Sequence, residues 1–230
     1  STSRNWAVWV PGYLDQYEPD PLRYYLSITM PETSDSDFSW WDFVRRNNDE
    51  LVATFGNLVH RVLTQVYRNF DEAVPDPDGL RAEDDELIAK ADAALESVGA
   101  SIAAVRLREA INGAMGLARE TNRYIDAQAP WKQIKEDKGE AARTLFTSLY
   151  AISALKTAFY PFLPFTAQTL HEALGLGGNV ETMEWTVERP VPGTRLPQPT
   201  PLFTKLVLLA RYVLPMGLVV FCVVGFIILG

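Results

Sequence analysis

Apolar residues recur every three or four positions between residues 39 and 175, the spacing of the buried stripe on an amphipathic helix. The first stripe runs from Phe43 to Phe70, behind a candidate N-cap at Ser39 with Asp42 three residues later. Gly and Pro divide the pattern into five predicted helices, at residues 39–70, about 82–98, about 101–124, about 139–159 and about 166–174. Because the connections are short, we expect an all-α fold, an antiparallel five-helix bundle.

The segments that flank this stretch have different compositions. The first is rich in aromatic residues and turn formers, with a candidate strand at residues 5–10 and a turn at residues 19–21. After the last predicted helix, Gly, Pro and Thr favour an extended segment, and the final residues are almost wholly apolar. The sequence therefore predicts four units, at residues 1–38, 39–175, 176–205 and 206–230.

The C-terminal unit, residues 206–230, predicts a transmembrane helix. Nineteen uncharged residues follow Arg211, and at about 1.5 Å per residue they span about 28 Å, close to the ~30 Å of a hydrocarbon core. Lys205 and Arg211 precede this run, so the positive-inside rule places the bundle in the cytoplasm. A second interpretation stays open, in which the tail comes from a spurious reading frame or an assembly joint.

Charge and composition narrow the chemistry. A net charge of −8 argues against holding nucleic acid by bulk electrostatics, because neutralising phosphates requires clustered Lys and Arg. Any nucleic-acid contact must then be local. The single cysteine, Cys222, and the isolated His60 and His171 form no cluster of metal-ligand spacing, so we expect no metal site and no disulfide.

Two motifs carry a resemblance to a known family. The chain opens with Ser-Thr-Ser-Arg, followed by Trp-Val-Pro at residues 9–11 and Pro-Asp-Pro-Leu-Arg-Tyr-Tyr-Leu at residues 19–26. Further on, residues 122–131 read Asn-Arg-Tyr-Ile-Asp-Ala-Gln-Ala-Pro-Trp. Over about residues 1–205 the sequence resembles the C-terminal part of methionyl-tRNA synthetases, which are class I aminoacyl-tRNA synthetases.

This resemblance implies that residues 1–38 end a class I catalytic core with a small α/β segment that contacts the tRNA stem. Ser1, Thr2, Ser3 and Arg4 would be the tail of the signature loop, which stabilises ATP phosphates while the aminoacyl-adenylate forms. The loop's first lysine would precede Ser1, and Thr2 replaces its second. The nucleotide-binding core would precede Ser1 as well, so this chain alone is expected to bind tRNA without charging it.

The resemblance also implies an anticodon-binding surface for tRNA(Met). Trp131, just after a helix that stops at Pro130, is expected to stack on an unpaired base, although composition alone favours a core tryptophan. The family's base contacts on the first long helix align with Thr64 and Arg68, while Arg61 is expected to attract phosphate. The candidate anticodon-binding residues are Asn57, Arg61, Thr64, Arg68, Asn122 and Trp131.

Two functions stay open at this point. In the first, the chain is the anticodon-binding part of a methionine–tRNA ligase whose core uses ATP to charge tRNA(Met) for translation in the cytoplasm. In the second, it is a membrane-anchored helical module that binds tRNA or a protein and has no ligase activity.

Overall fold

The computed structural model describes residues 10–31 and 37–207. Two short helices come first, α1 (Val10–Leu14) and α2 (Pro19–Ile28). A continuous helix follows, made of α3 (Trp40–Arg46), a π-helical segment (Asn47–Gly56) and α4 (Asn57–Asn69). The remaining helices are α5 (Ala82–Ala103), α6 (Leu107–Gln128), α7 (Pro130–Glu136), α8 (Lys138–Phe159), α9 (Pro164–Ala173) and a 3-10 turn (Val180–Thr182).

The long first helix confirms the prediction made from its apolar stripe. It begins at the predicted N-cap, where the Ser39 side chain accepts a hydrogen bond of 3.3 Å from the backbone N–H of Asp42. Leu51, Phe55, Val59 and other apolar residues at steps of three and four are buried against the rest of the bundle.

Helix α8 lies at the centre of the bundle. Every residue from Ala141 to Phe159 is buried, and α5, α6, α7 and α9 pack around it. A helix that is covered on all sides needs small and apolar residues on all of its faces, which α8 supplies with many Ala, Ser and Thr. The buried hydroxyls are partly satisfied within the helix, as where Ser148 donates to the carbonyl oxygen of Thr144.

The five helices predicted for residues 39–175 leave out α7, and α2 was not predicted in the preceding segment, because Pro130 and Pro19 each begin a helix. Pro19 begins α2 where a turn was expected, and Pro130 begins α7 directly after α6. Proline suits the first helical position because its missing N–H would have no partner inside the helix. The described residues contain nine α-helices.

The predicted break at Gly99 is also wrong. Helix α5 continues to Ala103, and a Cβ at Gly99 would lie 2.7 Å from Nε1 of Trp185. Gly99 therefore makes room for an indole ring from a distant segment. Ser101, the expected start of the third helix, is instead buried inside α5, where its hydroxyl donates to Glu109. The third helix, α6, begins at Leu107.

The predicted small α/β segment differs from the described structure, in which residues 10–31 form two helices and the described residues contain no β-strand. The strand candidate at residues 5–10 lies outside the described residues except for Val10, which begins α1. Asp20 of α2 is buried and accepts a hydrogen bond of 2.7 Å from the backbone N–H of Thr166, joining α2 to the first turn of α9.

The C-terminal strap, residues 176–207, has no α-helix, as the sequence predicted for its extended part. It crosses the bundle and makes contacts far apart along the chain. Trp185 donates to the carbonyl oxygen of Leu95, and Glu188 pairs with the fully buried Lys156. At its end, Leu206 exchanges hydrogen bonds with the side chain of Asn48.

No helix among the described residues is long and apolar enough to cross a membrane. The predicted C-terminal apolar helix, residues 206–230, lies outside the described residues apart from Leu206 and Val207, which are in the strap.

Candidate nucleic-acid interface

The polar face of α4 presents the candidate binding residues of the first long helix. Leu58, Val62 and Val66 bury the opposite face, so Asn57, Arg61 and the positions one and two turns further on point away from the core. Asn57 is exposed and Arg61 is half-buried. This face borders α6 and the start of α7.

Arg61 is held in place by two residues of α6. Its Nη1 atom lies 2.9 Å from Oδ1 of Asp126, and its Nη2 donates to Oδ1 of Asn122 over 3.1 Å. Asn122 is itself fixed, because its amide donates to the carbonyl oxygens of Thr54 (3.1 Å) and Ala118 (3.0 Å). The guanidinium group is therefore oriented before any ligand arrives.

Trp131 lies beside this group. The chain turns at Ala129, which adopts a left-handed conformation with φ of 50°, and Pro130 is buried at the first position of α7. The next residue, Trp131, is 36% exposed, and the guanidinium carbon of Arg61 lies 5.8 Å from the centroid of its ring. Trp131 is thus a partly exposed aromatic surface next to an oriented cation and not a core residue.

These groups can recognise an unpaired base in two ways. An exposed indole can stack on any base, while a guanidinium fixed by a carboxylate and an amide can donate hydrogen bonds to a base edge. The ion pair with Asp126 offsets the charge of Arg61, so this site suits local recognition more than bulk attraction of phosphate. Asp126 was not among the candidate residues, although it lies four residues after Asn122 on the same face of α6.

Comparison with known proteins decides the family. Residues 1–63 match the family model of class I tRNA synthetases (M), and residues 74–209 match that of the anticodon binding domain of methionyl tRNA ligase. The chain belongs to the methionyl-tRNA ligase family. The resemblance seen in the motifs is confirmed.

Curated relatives and solved structures of the methionyl-tRNA ligase family agree. The methionine–tRNA ligase of Dehalococcoides mccartyi strain 195 is 52% identical over 206 residues, which are 90% of this chain and 37% of the relative. That of Thermomicrobium roseum is 53% identical over 175 residues, covering 76% of the chain and 30% of the relative. The free methionyl-tRNA synthetase of Mycobacterium tuberculosis superposes with a TM-score of 0.81 at 28% identity, over 87% of this chain and 41% of that one.

The chain therefore spans about a third of the length of these curated methionyl-tRNA ligases. A second structure of the Mycobacterium tuberculosis enzyme, bound by methionyl-adenylate, superposes with a TM-score of 0.79. The match covers 84% of this chain and 39% of that one.

Within this member of the methionyl-tRNA ligase family, the sequence-predicted site residues separate into groups. Arg61, Asn122 and Trp131 come together, with Asn57 one turn earlier on α4. Thr64 and Arg68 share the same face of α4 one and two turns further on, but no described hydrogen bond, ion pair or ring contact joins them to Trp131. Ser1, Thr2, Ser3 and Arg4 lie outside the described residues.

The motif around residues 122–131 also contains a residue with a different task. Tyr124 points into the bundle and donates to Asp84, whose other carboxylate oxygen lies 2.7 Å from Nε of Arg143 outside hydrogen-bond geometry. Burial, followed by the Asp84 carboxylate, raises the pKa of Tyr124 well above its usual value. The ligase motif thus ties α6 to α5 and α8 on one side and presents Trp131 on the other.

The described residues contain no group of three or more His, Cys, Asp or Glu that could hold a metal ion. His171 is buried in another place, with Nε2 3.0 Å from the carbonyl oxygen of Gly177 and Nδ1 3.4 Å from Nζ of Lys156.

Proposed function

We propose that this chain binds tRNA(Met) through its anticodon, with Trp131 as the stacking surface and Arg61 as the donor to a base edge. The observation that carries the proposal is the partly exposed Trp131–Arg61 pair, held from behind by Asn122 and Asp126. The family supports tRNA(Met) as the ligand. Asn57 and Thr64 extend the surface by one turn of α4 on either side of Arg61.

The structure gives a reason to favour Arg61 over Arg68 for the base contact. Arg61 has a fixed orientation beside Trp131, so it loses little conformational freedom when it donates to a base. Arg68 is exposed in the last turn of α4, where a long cationic side chain is suited to attract phosphate. This reverses the order that the sequence alone suggests.

The parent enzyme would use the bound tRNA in protein biosynthesis in the cytoplasm, charging it with methionine at the expense of ATP. In this proposal Ser1, Thr2, Ser3 and Arg4 contribute to the loop that contacts the ATP phosphates. The rest of the catalytic core corresponds to the part of the relatives that this chain does not span. The chain by itself is then expected to show no methionine-dependent exchange between ATP and pyrophosphate. Exchange above a buffer control would contradict this expectation.

The test of the binding proposal compares two variants of the full chain on two RNA hairpins. One hairpin carries the CAU anticodon in its loop, and the other a scrambled loop. We expect the wild-type chain to prefer CAU, Arg61→Ala to reduce that preference, and Arg68→Ala to weaken both complexes together. If Arg68→Ala abolishes the preference and Arg61→Ala leaves it intact, the base contact lies two turns further along α4. If the wild-type chain shows no preference, the proposal fails.

A further inference from the structure

Helix α7 carries Trp131 on one face and Gln133 on the other. Each helical residue is rotated by about 100° from the one before it, so two positions turn a side chain to nearly the opposite side. Trp131 is partly exposed beside Arg61, whereas Gln133 is half-buried and faces α8. The contacts that Gln133 makes therefore constrain the position of Trp131.

Gln133 joins α7 to both neighbouring helices. Its Oε1 atom accepts a hydrogen bond of 2.9 Å from Oγ1 of Thr144 on α8, and its Nε2 donates over 3.5 Å to Oε1 of Gln128, the last residue of α6. Helix α7 has seven residues, and a helix of that length is not stable by itself in water. Its orientation must therefore come from tertiary contacts such as these.

Thr144 contacts both α7 and α6 from the centre of the bundle. Its side chain is fully buried, and its hydroxyl donates to Gln133 of α7. Burial raises the pKa of Tyr124 on α6, and the hydroxyl of Thr144 is among the groups that oppose this rise, which places it beside the phenol. One buried hydroxyl thus touches the inner side chains of two helices.

Tyr124 anchors α6 in a similar way. It lies between Asn122 and Asp126, the two residues that hold Arg61, and it points to the other side of the helix. There its phenol donates a hydrogen bond to the buried Asp84 of α5. Helix α6 therefore presents the partners of Arg61 outward and is fixed to the core from within.

The spacing of the Trp131–Arg61 pair depends on how α6 and α7 are placed relative to each other. The distance of 5.8 Å joins the ring carried by α7 to a guanidinium group held by α6. A hydrogen bond fixes such a placement more strictly than an apolar contact, because it weakens steeply when its length or angle changes. The Thr144–Gln133 bond is therefore well suited to keep the pair in register.

We propose that Thr144 is a positioning residue for the anticodon site, and that its hydroxyl, acting through Gln133, sets the place of Trp131 relative to Arg61. The proposal rests on the anticodon-binding function proposed above. It concerns what keeps that site in shape and not which groups touch the RNA. Thr144 is fully buried, so it influences the RNA only through the residues that it holds.

The experiment measures the affinity of full-chain variants for the CAU and scrambled hairpins well below Tm, together with a thermal melt. Thr144→Val keeps nearly the same shape without the hydroxyl, Gln133→Leu removes the acceptor, and Thr144→Ser retains the hydroxyl. Thr157→Val is the matched control. Thr157 is also buried on α8, about 20 Å away along the helix, and its hydroxyl donates over 3.2 Å to the carbonyl oxygen of Thr186 in the strap.

We expect Thr144→Val and Gln133→Leu to lower the affinity for the CAU hairpin by about fivefold or more, the lower end of the range for losing one base–aromatic stack. The affinity for the scrambled hairpin should fall less, so the preference for CAU shrinks. Thr144→Ser should keep the wild-type preference. Thr157→Val should lower Tm and leave the preference unchanged.

A double-mutant cycle with Trp131→Ala separates positioning from a general loss of stability. If Thr144 acts through Trp131, Thr144→Val should cause no further loss of CAU affinity in the Trp131→Ala background, because the group that it positions is already gone. A smaller folded fraction would instead lower the affinity by the same factor in both backgrounds.

Wild-type affinity for the CAU hairpin in both Thr144→Val and Gln133→Leu would overturn the positioning role. An equal loss for Thr157→Val, or for Thr144→Val in the Trp131→Ala background, would overturn it as well. If the wild-type chain prefers CAU and Trp131→Ala removes that preference, these results leave the anticodon function standing. A wild-type chain without any preference for CAU refutes the anticodon function and the positioning role with it.

Discussion

Truncation of Trp131 to alanine separates a binding role from a structural one. On the RNA side, the variant loses one base–aromatic stack, which is worth about 1–3 kcal/mol, or roughly a 5- to 150-fold loss of affinity. We expect this loss to be largest for the hairpin with the CAU loop. The affinity for a scrambled loop should change less, because fewer of its bases find a matched position beside Arg61.

The stability cost follows from the burial of the same side chain. Removing a fully buried tryptophan side chain costs about 3–5 kcal/mol, partly through the cavity that remains. Trp131 is 36% exposed and open to solvent, so no closed cavity forms and about two thirds of its surface is lost from packing. We expect a loss of about 2 kcal/mol, which for a chain of this size lowers Tm by about 4–8 °C.

The assay pairs hairpin affinity, measured well below Tm, with a thermal melt of the same preparation. Trp185→Ala is the control, because Trp185 is 40% exposed and packs against Gly99 on α5. It should lose comparable stability and keep its RNA affinity. The reasoning about the site is refuted if Trp131→Ala, while folded, separates the two loops as well as the wild-type chain does, or if Trp185→Ala loses the same affinity.

Three predictions concern stability and are checked by thermal and urea unfolding. Gly175→Ala should lower the free energy of unfolding by about 2 kcal/mol or more, because Gly175 has a φ of +72° and an added Cβ would lie 2.5 Å from the carbonyl oxygen of Arg195. An unchanged Tm would contradict this prediction. Glu188→Ala leaves the buried Lys156 cation without its carboxylate and should lower the free energy of unfolding by about 2–3 kcal/mol. This is less than the cost of breaking a fully buried pair, because Glu188 is 35% exposed. A loss under 0.5 kcal/mol would refute the prediction. Burial raises the pKa of the Asp20 carboxyl group above its unfolded-state value, so the stability linked to its protonation is complete below about pH 3.9 and is lost as the pH rises through the folded-state pKa. The free energy of unfolding of the wild-type chain minus that of Asp20→Asn should therefore fall from pH 4 to 7. A rise in this difference would contradict the prediction.

Local sequence patterns predicted the elements whose causes are local. The apolar stripe and the Ser39 cap give the long first helix, because both signals act within one turn. The run at residues 122–131 combines a helix end, a proline and a tryptophan, so the sequence predicted that a helix ends just before Trp131. The role of Pro130 was missed because proline ends one helix and begins another with the same residue.

Features set by distant residues could not be predicted in this way. Gly99 is a helix breaker by composition, yet α5 continues because the indole of Trp185, 86 positions later, fills the space that its missing side chain leaves. Arg61 and Arg68 look alike on α4, and only the positions of Asn122 and Asp126 on another helix distinguish them. The hydrophobic periodicity of each helix does not show that α6 packs beside α4, because this is tertiary structure.

The C-terminal strap also sets the order in which the chain can fold. Helical bundles usually fold quickly because their contacts join residues that are close in sequence. Here Asn47 binds the carbonyl oxygen of Thr204 across 157 positions, and Asn48 binds Leu206 across 158. The entropy of closing such long loops must be lost before these bonds form, so the first long helix gains its last partners only after synthesis of the strap. We expect folding to be slower than the all-helical composition suggests, with a late step that joins the C-terminal strap to the first long helix.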